Sequence, residues 1–224
     1  IHAFGAYFGL GMTLAVTTAQ QRGQAIQADA TSDRFAMLGS MVLWLFWPSF
    51  CSAIVPLNEM PQTVVNTVLA LSGATLSTFA LSTLLRKGKT SLADMANAAL
   101  AGGVSIGATC NVVAPAVAFG IGALAGALCV VGYVFVQPAL QARFKIVDTC
   151  GVHNLHGMPG LLGGLLAIVV VPGVATAQLI GMAVTLALAV TCGLVAGTLI
   201  KLTGTTASAY DDAEGFCDVD PSHF

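Results

Sequence analysis

Three histidines fall in long stretches that contain no Asp, Glu, Lys or Arg: His2, His153 and His156. A neutral imidazole offers one N–H donor and one acceptor nitrogen, so it can handle a small polar molecule without presenting a full charge. Ionisable side chains are costly in an apolar span, and each one there points first to a ligand or ion route. His2 lies in Ile1-His2-Ala3-Phe4-Gly5-Ala6-Tyr7-Phe8-Gly9. The other two lie in Asp148-Thr149-Cys150-Gly151-Val152-His153-Asn154-Leu155-His156-Gly157-Met158-Pro159-Gly160. The ordinary alternative for each histidine is a hydrogen bond to a neighbouring helix, and it weighs most for His153, nearer the Asp148 end. Asp148 itself reads equally as a helix-start acid.

The elements that must hold these groups are membrane spans. Of 224 residues, 56% are hydrophobic and only 8% charged, against roughly 25% charged in a soluble domain. A net charge of −2 supplies no basic field for nucleic acid. Charge-free stretches cover 1–21, 35–58, 60–85, 95–142 and 149–200, and about 20 apolar residues cross a bilayer core. The fourth stretch breaks at Asn111-Val112-Val113-Ala114-Pro115 and the fifth at Val171-Pro172-Gly173. Seven spans are therefore expected, near 1–19, 35–57, 62–85, 92–112, 115–136, 149–171 and 175–200. The continuous apolar runs argue against a β-barrel.

All eight basic residues, from Arg22 to Lys201, then fall on one face, which the positive-inside rule makes cytoplasmic. The expected organisation is a multi-pass channel domain over 1–202 in the cell membrane, with an acidic cytoplasmic C-terminal tail over 203–224. That tail holds Asp211, Asp212, Glu214, Asp218 and Asp220, with Cys217 and His223. The six cysteines lack metal-ligand spacing and read as reduced. No metal or cofactor is expected. Glycines four apart (Gly5/Gly9, Gly103/Gly107, Gly122/Gly126, Gly160/Gly164, Gly193/Gly197) predict close helix packing.

If the helix of the sixth span starts at Asp148, His156 lies about 12 Å along it, near mid-membrane. Spans 1 and 6 run in opposite directions, and each has a histidine seven residues before a glycine (His2/Gly9, His156/Gly163). A five-span inverted repeat would produce this, with a site where the copies meet. The fold class is thus all-α, a polytopic transmembrane helix bundle.

Ile-His-Ala-Phe-Gly-Ala-Tyr-Phe-Gly-Leu at 1–10, Trp-Pro-Ser-Phe at 47–50, Ala-Gly-Gly-Val-Ser-Ile-Gly at 101–107 and the stretch at 148–160 together resemble the Rh branch of the Amt/Mep/Rh ammonium transporter family. The chain is similar to the second half or so of an eleven- or twelve-span member, so four and a half spans are expected upstream. The resemblance implies that His2 and His156 are the twin histidines lining the pore, and that Phe50 is the inner phenylalanine of its gate. It implies that Asp148 is the carboxylate near the second-repeat helix and Val152 an apolar lumen residue. An ordinary core aromatic is the alternative for Phe50. A homotrimer with one pore per subunit is implied too.

The chemistry fits ammonia. Moving a compact cation into a low-dielectric lumen costs of order 20 kcal/mol by an idealised Born estimate. Removing its proton first costs about 1.36 kcal/mol per pH unit below the amine's pKa. An apolar lumen with neutral imidazoles would therefore pass ammonia, entering as ammonium, and reject hydrated alkali ions. Methylammonium and carbon dioxide are further candidate cargoes. Two other classes remain open: an intramembrane haem protein using span histidines, and an ammonium sensor signalling through the tail. No enzymatic chemistry is expected.

Overall fold

The protein is described here by a computed structural model covering residues 1–19, 21–23 and 30–204. The tail acids, Cys217 and His223 lie outside the described residues. Among those described, every regular element is helical. In chain order these are α1 (His2–Val16), α2 (Ala30–Ser52), α3 (Met60–Leu85), α4 (Leu92–Ala98) and α5 (Ala101–Ile106). After them come α6 (Pro115–Val131), α7 (Gln137–Phe144), α8 (Met158–Val170) and α9 (Ala175–Leu202). A π-helical turn, Gly132–Val136, joins α6 to α7, and a second, His153–Gly157, leads into α8.

Each of the seven expected spans has a helical counterpart. Five are long and apolar enough to cross a membrane: Ala30–Ser52, Leu57–Leu85, Pro115–Phe144, His153–Val170 and Ala175–Leu202. The chain is a multi-pass membrane protein. The first and fourth expected spans are shorter, at His2–Val16 and Leu92–Ile106. In the fourth, the Leu100 N–H bonds to the Asn97 carbonyl, three residues back rather than four, before α5 resumes the ladder. The break expected at 171–173 is where α8 stops, whereas α5 already ends at Ile106, ahead of the break expected at 111–115, and α6 starts at Pro115.

Glycine decides the closest packing, though not at every pair. α6 lies against α3 and α9 against α1. A Cβ at Gly122 would collide with the Ala70 backbone, and one at Gly126 would meet Ala74 and Ser77. Gly193 and Gly197 stand in the same way against Phe8 and Met12 of α1. Gly5 and Gly9 face open space instead. Their four-residue spacing marks a face that no other helix covers among the described residues.

The sixth span departs from its expected start. Residues 145–151 are not helical; the helix begins at Val152, not at Asp148. Asp148 stands in the approach to it, 8% exposed. Its Oδ1 accepts the Val152 N–H and its Oδ2 the His153 N–H, both at 2.9 Å. These N–H groups have no intrahelical acceptor, so the carboxylate caps them. His156 is thus four residues into its helix rather than eight.

The two π turns share a cause. Each ends two residues before a proline, Pro138 or Pro159. Proline has no N–H to give the carbonyl four residues back, which frees the ladder to widen. The turns also touch: a Cβ at Gly132 would meet the Asn154 carboxamide and the Met158 methyl.

Candidate functional site

α1 packs on the second π turn and on α8, which brings His2 to His156. Their ring centroids are 5.1 Å apart and their planes within 7° of parallel. The rings are nearly parallel, and His156 Nδ1 is buried with no hydrogen-bond partner among the described residues. The other neighbour of His2 is Trp47, nearly parallel at 5.4 Å. Phe50 meets both edge-on, at 6.3 Å from each ring.

These residues come together because α2 carries a helical stripe. Leu43, Phe46, Trp47 and Phe50, spaced i, i+3, i+4, i+7, line one cavity of about 370 Å³ with His2 and His156. Such spacing puts all four on one face. A second cavity, of about 390 Å³, shares His2 and Phe50 and continues past Cys51, Gly103, Val104, Gly107 and Ala108. The histidine pair therefore sits where two cavities adjoin, against largely apolar walls.

Trp47 is the functional-site residue that the sequence reasoning passed over. It is 7% exposed and its Nε1 has no hydrogen-bond partner. A Cβ at Gly103 would lie 2.6 to 2.8 Å from Nε1, Cε2 and Cδ1 of its ring. Gly103 of the 101–107 motif thus makes room for the indole, while Gly102 admits the Ala70 backbone of α3. The stripe at 43, 46, 47 and 50 was the signal that could have found it.

His153 does not join the pair. Its ring stands edge-on to Tyr7 at 5.7 Å, and with Asp148 it borders a void of only about 10 Å³ among Leu10, Gln137, Leu140 and Ile146. Val152 borders neither large cavity. Asp148 belongs to a polar brace: Gln137 Nε2 donates to the Asp148 carbonyl and Asn154 Nδ2 to Gln137 Oε1, both at 2.7 Å. Tyr133 donates to the Cys150 carbonyl at 2.9 Å. This brace fixes the non-helical approach and the π turn carrying His156. No slot for a haem separates His2 from His156, because their ring centroids are only 5.1 Å apart.

A family model described as "Ammonium Transporter Family" matches residues 1–219. The chain is 48% identical to Ammonium transporter Rh type B of Sus scrofa over 181 residues, 79% of this chain and 39% of that protein. It is 41% identical to Ammonium transporter Rh type A of Mus musculus over 212 residues, 90% of this chain and 48% of that one. The chain therefore spans about half the length of the relatives it matches, or less. Among solved structures, it superposes on Nitrosomonas europaea Rh50, described with a mechanism of conduction by the Rhesus protein family of channels. The TM-score is 0.95 at 65% identity, covering 100% of this chain and 59% of that one. Saccharomyces cerevisiae Mep2, at 20% identity and a TM-score of 0.72 over 91% of this chain and 49% of that one, shares the fold.

Proposed function

We propose, because this chain belongs to the Ammonium Transporter Family, that it conducts ammonia through the corridor at His2 and His156. The observation carrying this reading is the stacked histidine pair in a cavity otherwise walled by Leu43, Phe46, Trp47 and Phe50. Such a wall rejects a hydrated cation, since burying the charge costs far more than removing a proton from ammonium. Phe50 stands where the two cavities meet and acts as the gate at which water is stripped. The imidazole nitrogens then give the neutral molecule a donor and an acceptor. Methylammonium fits the same chemistry, and carbon dioxide can use the same dry route.

Asp148 serves through position: it holds the start of the helix bearing His156 and sends no group into the corridor. His153 and Val152 support that helix from its α1 side and its first turn. The protein works as a homotrimer with one corridor per subunit and with its C-terminal side in the cytoplasm, where the basic residues gather.

The test is ammonia and methylammonium flux into proteoliposomes, followed by a trapped pH dye. His2→Ala and His156→Ala are each expected to reduce flux at least tenfold while the protein stays folded, and Phe50→Ala to relax discrimination against methylammonium. Wild-type flux in both histidine variants would reduce the pair to packing.

A further inference from the structure

Three helices finish around a cavity that the ammonia corridor does not use. Its walls are Thr17, Thr18, Ala19, Arg22, Lys145 and Lys201, and it encloses about 670 Å³, within the range of sites that take a small organic ligand. Thr17 caps the end of α1, Lys145 ends α7 in a left-handed conformation at φ 57°, and Lys201 lies in the last turn of α9. Arg22 is fixed in place. Its Nη2 donates to the Leu14 and Thr17 carbonyls at 2.7 and 3.3 Å, and its Nε to the Thr17 hydroxyl at 3.2 Å. Of its five N–H donors, the Nη1 pair has no partner among the described residues. No acidic side chain lines the cavity, and among the described residues neither Lys145 nor Lys201 pairs with a carboxylate. Asp148, a short way past Lys145, is turned instead to the Val152 and His153 N–H groups.

Charge and depth decide what fits. Each helix C-terminus carries about −0.5 of an elementary charge, so the three ends offset about half of the three side-chain cations. Roughly one and a half positive charges remain, more than the helix ends themselves require. That excess matches one phosphate group. α9 has 28 residues and is about 42 Å long, against a hydrocarbon core of about 30 Å and about 40–45 Å with the headgroup layers included. Its last turn therefore stands among lipid headgroups. We infer that Arg22, Lys145 and Lys201 form a binding site for the phosphate headgroup of an anionic phospholipid. Basic pockets between spans on the cytoplasmic side suit such headgroups, and the positive-inside rule puts this end of the bundle there. A lipid held here joins the end of α1, the helix carrying His2, to α9 and to the segment that runs from Lys145 into the Asp148 cap.

The test is native mass spectrometry of the purified protein in neutral detergent, titrated with phosphatidylglycerol or with phosphatidylcholine of the same acyl chains. One tightly held phosphatidylglycerol per subunit is expected. A basic residue at the membrane surface is worth about a fivefold preference for an anionic lipid. Lys145→Gln/Lys201→Gln should therefore weaken phosphatidylglycerol binding about 25-fold and leave phosphatidylcholine unchanged, while Lys145→Arg/Lys201→Arg should retain it. Lys87→Gln/Lys89→Gln makes the same charge change in another turn and should leave it unaltered. The inference fails if phosphatidylglycerol binds no better than phosphatidylcholine, as it would were the acids of residues 203–224 to fill the cavity. It fails if the two glutamine pairs weaken binding alike, which would reduce the effect to general surface charge. It fails also if inorganic phosphate displaces the lipid where sodium chloride of equal ionic strength does not, since the site would then serve a free anion. The comparison of the two lipids on the unsubstituted protein, and the displacement by phosphate, decide the matter even if a variant does not fold. Reading bound lipid rather than flux keeps the result separate from the transport proposal.

Discussion

Replacing Asp148 by alanine is expected to loosen the helix that carries His156. The Asp148 carboxylate is nearly buried and accepts two backbone N–H groups at 2.9 Å, those of Val152 and His153. Loss of a helix cap costs about 1 kcal/mol and up to about 2, and a hydrogen bond to a charged group contributes about 1.5–3 kcal/mol. Two such bonds at a site closed to water place Asp148→Ala at about 2–4 kcal/mol. Asp148→Asn keeps one acceptor oxygen and should lose about half as much. The assay pairs thermal unfolding in detergent with proteoliposome flux below the melting range of every variant. Amide exchange over residues 152–157 reports the helix start directly. Capping predicts one order in all three readouts: wild type, then asparagine, then alanine. An asparagine variant with wild-type stability and exchange but no flux would refute the reasoning, because the charge would then act on the cargo itself. So would an alanine variant that melts with the wild type.

The glycine contacts predict opposite signs for one substitution. Gly122→Ala should destabilise by about 1–3 kcal/mol through collision with α3, while Gly5→Ala, facing open space, should be neutral or gain up to about 1 kcal/mol of helix propensity; melting curves separate them. Arg86 pairs with Asp94 at 2.7 Å, and the carboxylate is fully buried; its hydrogen bond also raises the Arg86 pKa, holding the guanidinium charged. Arg86→Met should therefore cost about 3 kcal/mol or more, with much of the loss recovered in Arg86→Met/Asp94→Asn. Trp47→Leu should lower flux severalfold at little cost in stability, and unchanged flux would remove the indole from the site.

The sequence pattern carried the architecture further than it carried the details of the site. Seven apolar stretches and the breaks between them were legible because charges and turn residues are excluded from spans. The meeting of His2 with His156 was legible because opposed repeats put matched residues at one depth. Three things depended on contacts that spacing does not encode. Gly5/Gly9 looks like Gly193/Gly197 in the sequence, yet among the described residues only the second pair has a helix against it. The helix start at Val152 was hidden because Asp148 is equally plausible inside a first turn and ahead of it; the polar brace from Gln137 and Tyr133 decides between them, and it comes from another helix. Trp47 was missed although its stripe was readable, because an aromatic on an apolar face is ordinary until a glycine from a different helix is seen beneath it.

That glycine bears on how a cation is treated at this point. An aromatic wall can attract ammonium through its π faces, and the same residues would then form a cation trap rather than a filter. The faces of Trp47 are not all free for this. The near-equal distances from a Gly103 Cβ to three ring atoms put α5 against one of them, and the His2 ring lies nearly parallel at 5.4 Å. The His2 ring is nearly parallel to those of both Trp47 and His156. Facing the cavity beside them are Leu43, Phe46, Phe50 and the imidazoles. Aromatic edges carry partial positive charge and repel a cation, while a neutral imidazole edge can still hydrogen-bond a neutral amine. Under the proposed conduction of ammonia, the packing of Trp47 on Gly103 therefore takes a π face away from any ammonium that reaches the cluster.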